Sequence, residues 1–117
     1  MNFQEECQQL LDRYVSCYRK GDAAGCASIY VLDAELYSPF GPPAIGRQAI
    51  EAVHKEWVEE GAENKEIIVL SAGRSDELGW CIARFSEGTT GSGFSMNILA
   101  HQPDGHWAIT HCSLNEA

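Results

Sequence analysis

The sequence predicts an α+β fold in which helices come first and strands follow. In the first half of the chain, apolar residues recur at helical spacing, whereas after residue 66 they alternate in short runs separated by turn residues. Helices followed by an antiparallel meander are typical of α+β domains. A chain of 117 residues can bury about two-thirds of its unfolded surface. We therefore expect residues 1–117 to form a single domain.

Two helices are predicted before the first strand. The first begins at Phe3, keeps an amphipathic pattern and ends at Gly21. Asp22 is placed to cap a short second helix, which includes Tyr30 and ends before Asp33.

A short strand and a third helix follow. Ala34–Ser38 alternates weakly and is expected to be a strand. Prolines and glycines over 39–43 predict a stiff, extended loop without regular structure. Gly46 and Gly61 bracket the third helix, whose apolar positions recur at helical spacing: Ile50, Val53, His54, Trp57 and Val58.

Four strands are predicted in the second half. They are Ile67–Ala72, Trp80–Ser86, Phe94–His101 and Trp107–Leu114. If Asp104-Gly105 is the last hairpin turn, Asn97 faces Cys112 and Leu99 faces Thr110. One sheet face then holds Asn97, Leu99, Thr110, Cys112 and Leu114, and the other holds Met96, Ile98, Ala100, Trp107, Ile109 and His111. Because both are apolar, one is expected to line a pocket and the other to contact a second subunit.

Composition excludes several functions. A formal net charge of −9 argues against nucleic acid and anionic membranes, which attract clustered Lys and Arg, and favours neutral or cationic small molecules or a protein.

With neither a leader nor an apolar span, we expect a cytoplasmic protein. Five cysteines without C-x-x-C spacing predict reduced thiols. No metal is expected from His54, His111 and Asp33, and no dinucleotide cofactor from the glycines over 88–93.

Turn-forming residues, helix-terminating residues and aromatic residues occur in a fixed order that resembles a known family. Arg13-Tyr14, Gly21-Asp22, Tyr30–Ala34 and Ser38–Arg47 resemble the NTF2-like, or SnoaL-like, superfamily and within it the ketosteroid isomerases. The resemblance covers nearly the whole chain. It implies three helices packed on a curved, mainly antiparallel sheet that forms a cone around a pocket.

The resemblance also implies site roles. Tyr14 matches the tyrosine that donates to the substrate's oxyanion, and Asn97 takes the place of a protonated aspartate that does the same. Tyr30 and His54 match residues that support the donor tyrosine through hydrogen bonds. Ser38 stands where the family has the aspartate that moves the proton, and a serine at its ordinary pKa cannot act as that base.

By the same comparison the Asn97 face points inward, Cys81, Ala83 and Phe85 also point inward, and Ile82 and Arg84 point outward. The remaining ligand contacts are expected from Tyr18, Tyr30, Phe40, His54, Trp57, Cys81, Ala83, Phe85, Leu99, Cys112 and Leu114.

Two functions remain open from the sequence. The first is a pocket protein for a hydrophobic ring-containing carbonyl or phenol, with an isomerase-like reaction as its enzymatic form. The second is a non-catalytic ligand-binding or protein-interaction module, since Tyr and His on amphipathic helices are usually core residues. In either case a homodimer is expected through the outward face that includes Met96, Ile98, Trp107 and Ile109, with His111 at the contact.

Overall fold

The structure, a computed structural model, describes residues 1–59, 62–88 and 91–117. Its helices are α1 (Phe3–Arg19), α2 (Ala23–Ala27) and α3 (Arg47–Trp57), with a 3₁₀ turn over Ala62–Asn64. Its strands are β1 (Tyr30–Ser38), β2 (Gly41–Ile45), β3 (Lys65–Ser75), β4 (Leu78–Glu87), β5 (Ser92–His101) and β6 (Trp107–Glu116).

All six described strands form one sheet in the order β2-β1-β6-β5-β4-β3. The β1–β6 pair is parallel and the other neighbours are antiparallel. The predicted α+β architecture with a mainly antiparallel sheet is therefore confirmed. Within the described residues, no helix has the length and apolarity needed to span a bilayer.

The long helix α1 begins with a strong local signal. The Asn2 side chain accepts from the backbone of Glu5, and the Glu5 side chain accepts from the backbone of Asn2, which is a reciprocal capping box. The apolar stripe of α1 packs against β3. This contact places the helix across the concave face of the sheet.

The second helix is shorter than predicted. The observed α2 ends at Ala27, and Tyr30 is the first residue of β1 rather than part of a helix. The N–H of Ile109 donates to the carbonyl oxygen of Ile29 at 2.8 Å, which brings this segment into the sheet. A short apolar run does not distinguish a helix from a strand, because either element can be buried.

The proline-rich segment is also different from the prediction. Instead of an irregular loop, Gly41–Ile45 forms β2 and pairs with β1. Because β2 lies at the edge of the sheet, it pairs with a neighbouring strand on one side only. Prolines are tolerated in such a strand, because fewer of its backbone N–H groups have to donate to a neighbour. The predicted end of α3 at Gly61 lies outside the described residues.

One bulge changes the faces of the last hairpin. Asn97 pairs with Cys112 as predicted, but Leu99 pairs with Ile109 instead of Thr110. The extra residue reverses the parity of β6, so Trp107 and Ile109 are 7% and 1% exposed instead of facing outward. Their assignment to the outer face was wrong, as was the inward position of Thr110.

The other strands keep the predicted parity. Cys81, Ala83 and Phe85 of β4 are buried on the inner face, whereas Ile82 and Arg84 lie on the opposite face. The core thus lies between α1 and the concave side of the sheet.

Candidate functional site

A cavity of about 440 Å³ lies between the helices and the concave face of the sheet. Exposed residues at one end, including Phe40 and Glu56, mark its mouth, and buried residues such as Ile29 mark its inner end. Nine predicted site residues line this cavity: Tyr14, Tyr18, Tyr30, Phe40, Trp57, Phe85, Asn97, Cys112 and Leu114.

Other predicted contacts are core residues beside the cavity. His54, Cys81, Ala83 and Leu99 are buried but are not among the described residues that line it. Cys81 and Cys7 of α1 are both buried, and the neighbouring Cys81 thiol raises the pKa of Cys7, which indicates that the helix covers this part of the inner face. Strand parity predicts which side chains point inward, but it does not predict which of them a helix covers.

Ser38 is likewise placed away from the cavity. It ends β1, and its hydroxyl oxygen accepts from the N–H of Phe40 at 3.2 Å. This local turn occupies the hydroxyl and directs Phe40 to the mouth, where its ring lies 6.1 Å from that of Trp57.

A hydrogen-bond chain stands behind the inner end. The Nδ1 atom of His54 lies 2.7 Å from the carbonyl oxygen of Ile50, and its Nε2 atom lies 2.8 Å from the hydroxyl of Tyr14. A carbonyl oxygen only accepts, so Nδ1 carries a hydrogen. Burial lowers the pKa of His54 to about 4, so the ring is neutral at pH 7 and Nε2 accepts from Tyr14.

This direction differs from the one that the isomerase resemblance implies. The Tyr14 hydroxyl hydrogen is directed to His54, which leaves an oxygen lone pair toward the cavity. Desolvation also raises the pKa of Tyr14 well above its ordinary value, so the phenol stays neutral. In this state Tyr14 is a hydrogen-bond acceptor for a bound molecule.

Asn97 provides a second acceptor at the inner end. Its amide nitrogen donates to the hydroxyl of Ser95 at 3.1 Å and is 3.8 Å from the sulfur of Cys81. Among the described side chains, every fully buried nitrogen or oxygen has a hydrogen-bond partner. The bonds of Asn97 use its nitrogen, so its oxygen is not fully buried and is accessible from the cavity. Ser95 accepts from Asn97 and keeps its own hydrogen to donate.

The mouth of the cavity is charged. The ammonium of Lys65 lies 3.0 Å from the carboxylate of Glu87, and the same oxygen is 2.9 Å from the hydroxyl of Tyr18. Lys65 also lies 4.4 Å from the ring centroid of Tyr18 and 4.9 Å from that of Phe85. Desolvation lowers the pKa of Lys65, and the attraction of Glu87 opposes this effect.

Sequence reasoning missed these charged residues and several apolar ones. The lining residues absent from the prediction are Leu11, Ile29, Glu56, Glu59, Lys65, Ile67, Glu87, Gly91, Ser95 and Ile109. A signal for Lys65 was available, because it shares strand parity with Ile67 and the buried Val69. Parity with Asn97 likewise pointed to Ser95. Ile109 was missed because the sequence analysis did not predict the bulge between β5 and β6.

The arrangement favours ligands that are neutral or cationic. Among the described residues, three carboxylates line the mouth, from Glu56, Glu59 and Glu87, against one ammonium, from Lys65. The inner end offers neutral oxygens and hydroxyl groups, surrounded by apolar side chains. An anion entering the cavity would lose its hydration with few donors to replace it.

Comparison by sequence finds no matching family model and no matching curated protein. Comparison by structure finds many similar folds. An NTF-2 like protein of unknown function from Shewanella oneidensis is 17% identical, with a TM-score of 0.80 over 96% of this chain and 98% of that one. A ketosteroid isomerase-like protein from Erwinia carotovora atroseptica is 13% identical, with a TM-score of 0.74 over 93% and 92%.

A third similar structure has a name of a different kind. It is a putative calcium/calmodulin-dependent protein kinase type II association domain from Thiobacillus denitrificans, 10% identical, with a TM-score of 0.77 over 94% of each chain. Identities this low show a common fold and leave function open. Sheet order, helix placement and these neighbours together show that the chain has the NTF2-like, cystatin-like α+β fold.

Proposed function

We propose that this protein binds a neutral, ring-containing small molecule that carries a phenol or carbonyl group. The observation that carries the proposal is an apolar cavity of about 440 Å³ whose inner end presents Tyr14, Ser95 and Asn97. Cavities of roughly 300–1,000 Å³ with a few convergent polar groups are typical of small-molecule sites. A fully packed cone would instead favour an interaction module.

The hydrogen-bond directions define the ligand's polar group. A phenol would donate to the oxygen of Tyr14 or Asn97 and accept from the hydroxyl of Ser95, whereas a ketone has no hydrogen to donate and would only accept from a hydroxyl such as that of Ser95. Because the inner end is buried, an unpaired polar group there is costly. We therefore expect a phenol to bind more tightly than a molecule of the same shape without a donor.

Calorimetry with 2-naphthol and 2-methoxynaphthalene tests this expectation. The naphthol should bind about fivefold more tightly, since one buried hydrogen bond contributes about 1 kcal/mol. Tyr14→Phe should remove most of this preference, while Tyr37→Phe, which changes an exposed phenol on β1, should keep it. Equal affinity for both ligands in the parent would overturn the role given to Tyr14.

The pH dependence of binding separates an acceptor from an oxyanion site. If Tyr14 and Asn97 accept, binding should weaken once the ligand's own hydroxyl ionises, because a phenolate has no hydrogen to donate. If the two residues donate, as in the resemblance to ketosteroid isomerases, binding should strengthen at the same pH. A nitrated naphthol that ionises near neutral pH allows this measurement without denaturing the protein.

An isomerase-like reaction is the enzymatic form of this proposal. The fold supports it, although Ser38 does not line the cavity and a base near the reacting carbon is required. Ser38→Asp, assayed on a β,γ-unsaturated ketone, should gain about 10²-fold or more over the parent if the family's arrangement transfers to this chain. Ser38→Asn is the matched control. A folded Ser38→Asp variant that binds the ketone without turnover would leave a binding protein only.

A homodimer through the sheet is supported by an apolar outer face. We define the outer face by Ile68, Leu70, Trp80, Phe94, Met96 and Ile98, which are each between 39% and 51% exposed. The same side of the sheet carries Arg84 on β4 and Glu35 on β1, which a two-fold axis could bring together between copies. The structural neighbour from Thiobacillus denitrificans is itself named an association domain.

Light scattering after gel filtration tests the dimer. The parent should have twice the mass of its chain at micromolar concentration, and Ile98→Glu should shift it to a monomer because a buried unpaired charge opposes association. Leu32→Glu, at another exposed apolar residue, is the control and should stay dimeric. A monomeric parent would remove the proposal.

A further inference from the structure

Lys65 occupies an unusual position for a lysine. It begins β3 with its side chain on the inner face, is only 6% exposed and lines the cavity. Lysine is among the residues least often buried, because an ammonium loses strong hydration there. The chain has two other lysines, Lys20 and Lys55, and both are exposed.

The surroundings of this ammonium are apolar on several sides. Its nitrogen lies over the rings of Tyr18 and Phe85, and its ion-pair partner is the carboxylate of Glu87 at 3.0 Å. A carboxylate at this distance can take a proton from the ammonium and return it. A neutral amine in an apolar cavity is a nucleophile toward carbonyl carbon.

A structural role explains part of this geometry. Lys65 and Glu87 are directly paired across β3 and β4, so their ion pair also fixes the end of the sheet. Arginine would serve that role equally well, and an ion pair alone has no need to face the cavity. The structural role and the chemical one therefore differ in what they require of the side chain.

We propose that Lys65 forms an imine with an aldehyde or ketone group of the ligand, with Glu87 as the proton carrier. This inference rests on the proposed function, since it assigns chemistry to the carbonyl of a molecule bound in the same cavity. It adds a covalent site at the mouth to the hydrogen-bonding site at the inner end.

The step balances with groups that are present. Glu87 takes a proton from the Lys65 ammonium, and the freed amine nitrogen attacks the carbonyl carbon to form a C–N bond. Proton transfer from nitrogen to oxygen gives the carbinolamine. Glu87 then returns its proton to the hydroxyl as the C–O bond breaks, which releases water and leaves a protonated imine. The net change is one ammonium and one carbonyl to one iminium and one water, without an oxidant.

Reductive trapping with 2-naphthaldehyde and cyanoborohydride tests the proposal in the intact protein. Trapping should add the mass of the aldehyde less one oxygen atom, and peptide mapping should locate it on Lys65. We expect labelling of Lys65 at least about tenfold faster than that of Lys20 or Lys55, because binding holds the carbonyl beside the amine. Labelling of the exposed lysines with Lys65 unmodified would overturn the proposal.

Variants separate covalent chemistry from binding. Lys65→Arg keeps the cation and its pairing with Glu87 but cannot form an imine, so it should lose the label and still bind 2-naphthalenemethanol, which has no carbonyl. Lys55→Arg should keep the label. Mapping of the parent protein decides the question even if Lys65→Arg fails to fold.

The two proposals fail in different ways. If the parent binds 2-naphthalenemethanol but Lys65 is not labelled, imine formation is wrong and the binding function stands. If neither 2-naphthalenemethanol nor 2-naphthol binds, the binding function is wrong and the imine proposal falls with it. Protection of Lys65 from labelling by excess 2-naphthalenemethanol would place the reaction in the cavity.

Discussion

The two ends of the cavity stabilise their buried polar groups in different ways. At the inner end, Tyr14 and His54 remain neutral and satisfy each other through a hydrogen bond of 2.8 Å. At the mouth, the buried Lys65 and the partly exposed Glu87 are paired as ions, with Tyr18 beside them. Burial makes an unpaired charge expensive, so the groups at the inner end stay neutral and the charges at the mouth are paired.

This comparison has a consequence for stability. The inner network is part of the core, since His54 is 0% exposed and packs against Tyr14 and Trp57. The ion pair at the mouth retains access to water through Glu87, whose side chain is 17% exposed. We therefore expect substitutions at the inner end to affect folding more than substitutions at the mouth.

Truncation of His54 should have the largest effect. His54→Ala creates a cavity and leaves the Tyr14 hydroxyl and the Ile50 carbonyl without their partner, which should lower the free energy of unfolding by about 3 kcal/mol or more. Lys65→Met, which keeps the length of the side chain, should cost about 1–2 kcal/mol, because Glu87 keeps Tyr18 as a donor and some contact with water. Urea denaturation of both variants gives the comparison. Equal losses would show that the two ends contribute alike to the core.

Acid should weaken the inner end selectively. The pKa of His54 falls from 6.5 in the unfolded chain to about 4 in the folded one. Since the unfolded state binds this proton first, stability is fully present above pH 6.5 and is lost as the pH falls toward 4. The loss should reach about 3 kcal/mol from this residue.

The control for the acid prediction is a variant that cannot titrate at this position. His54→Gln removes the ionisation, so the difference in unfolding free energy between parent and variant should change across pH 4–6.5, while the shared titration of carboxylates cancels. A difference that stays constant over this range would mean that His54 is protonated in the folded protein.

Removal of single phenol hydroxyls should have smaller effects than truncation of His54. Tyr14→Phe leaves the Nε2 atom of His54 unpaired in the core, and we expect a cost of about 1–3 kcal/mol. Tyr18→Phe leaves Glu87 paired with Lys65, and we expect about 1 kcal/mol or less. Thermal unfolding of both variants measures the difference. A greater loss for Tyr18→Phe would reverse the order of the two ends.

The fold was largely predictable because its signals are local. The cap at Asp22, the amphipathic stripe of α1 and the alternation of β4 and β5 each depend on a few adjacent residues. The pairing of Asn97 with Cys112 also followed from counting back from a turn. By contrast, Tyr30 and the prolines of β2 were misassigned, because strand pairing decides their conformation: β1 pairs with the distant β6, and β2 pairs with β1.

The site was predictable only in part, and the reason is geometric. Helical periodicity and the family resemblance placed Tyr14 toward the pocket, strand parity with the same resemblance placed Phe85 and Asn97 there, and all three line one cavity. Parity could not show that Cys81 is covered by α1, since covering depends on how a helix packs on the sheet. The bulge opposite Leu99 carried no clear turn residue, so the reversal at Ile109 was missed.

The sequence by itself determined the order of elements, the acidic net charge and the residues available for chemistry, because these depend on composition and on short-range periodicity. Only the tertiary structure decided the direction of the Tyr14–His54 hydrogen bond, through the carbonyl oxygen of Ile50 that fixes the histidine hydrogen on Nδ1. It also decided that Lys65 lies within the cavity beside Glu87. Both outcomes depend on burial among distant segments, and burial sets which groups stay neutral and which must be paired.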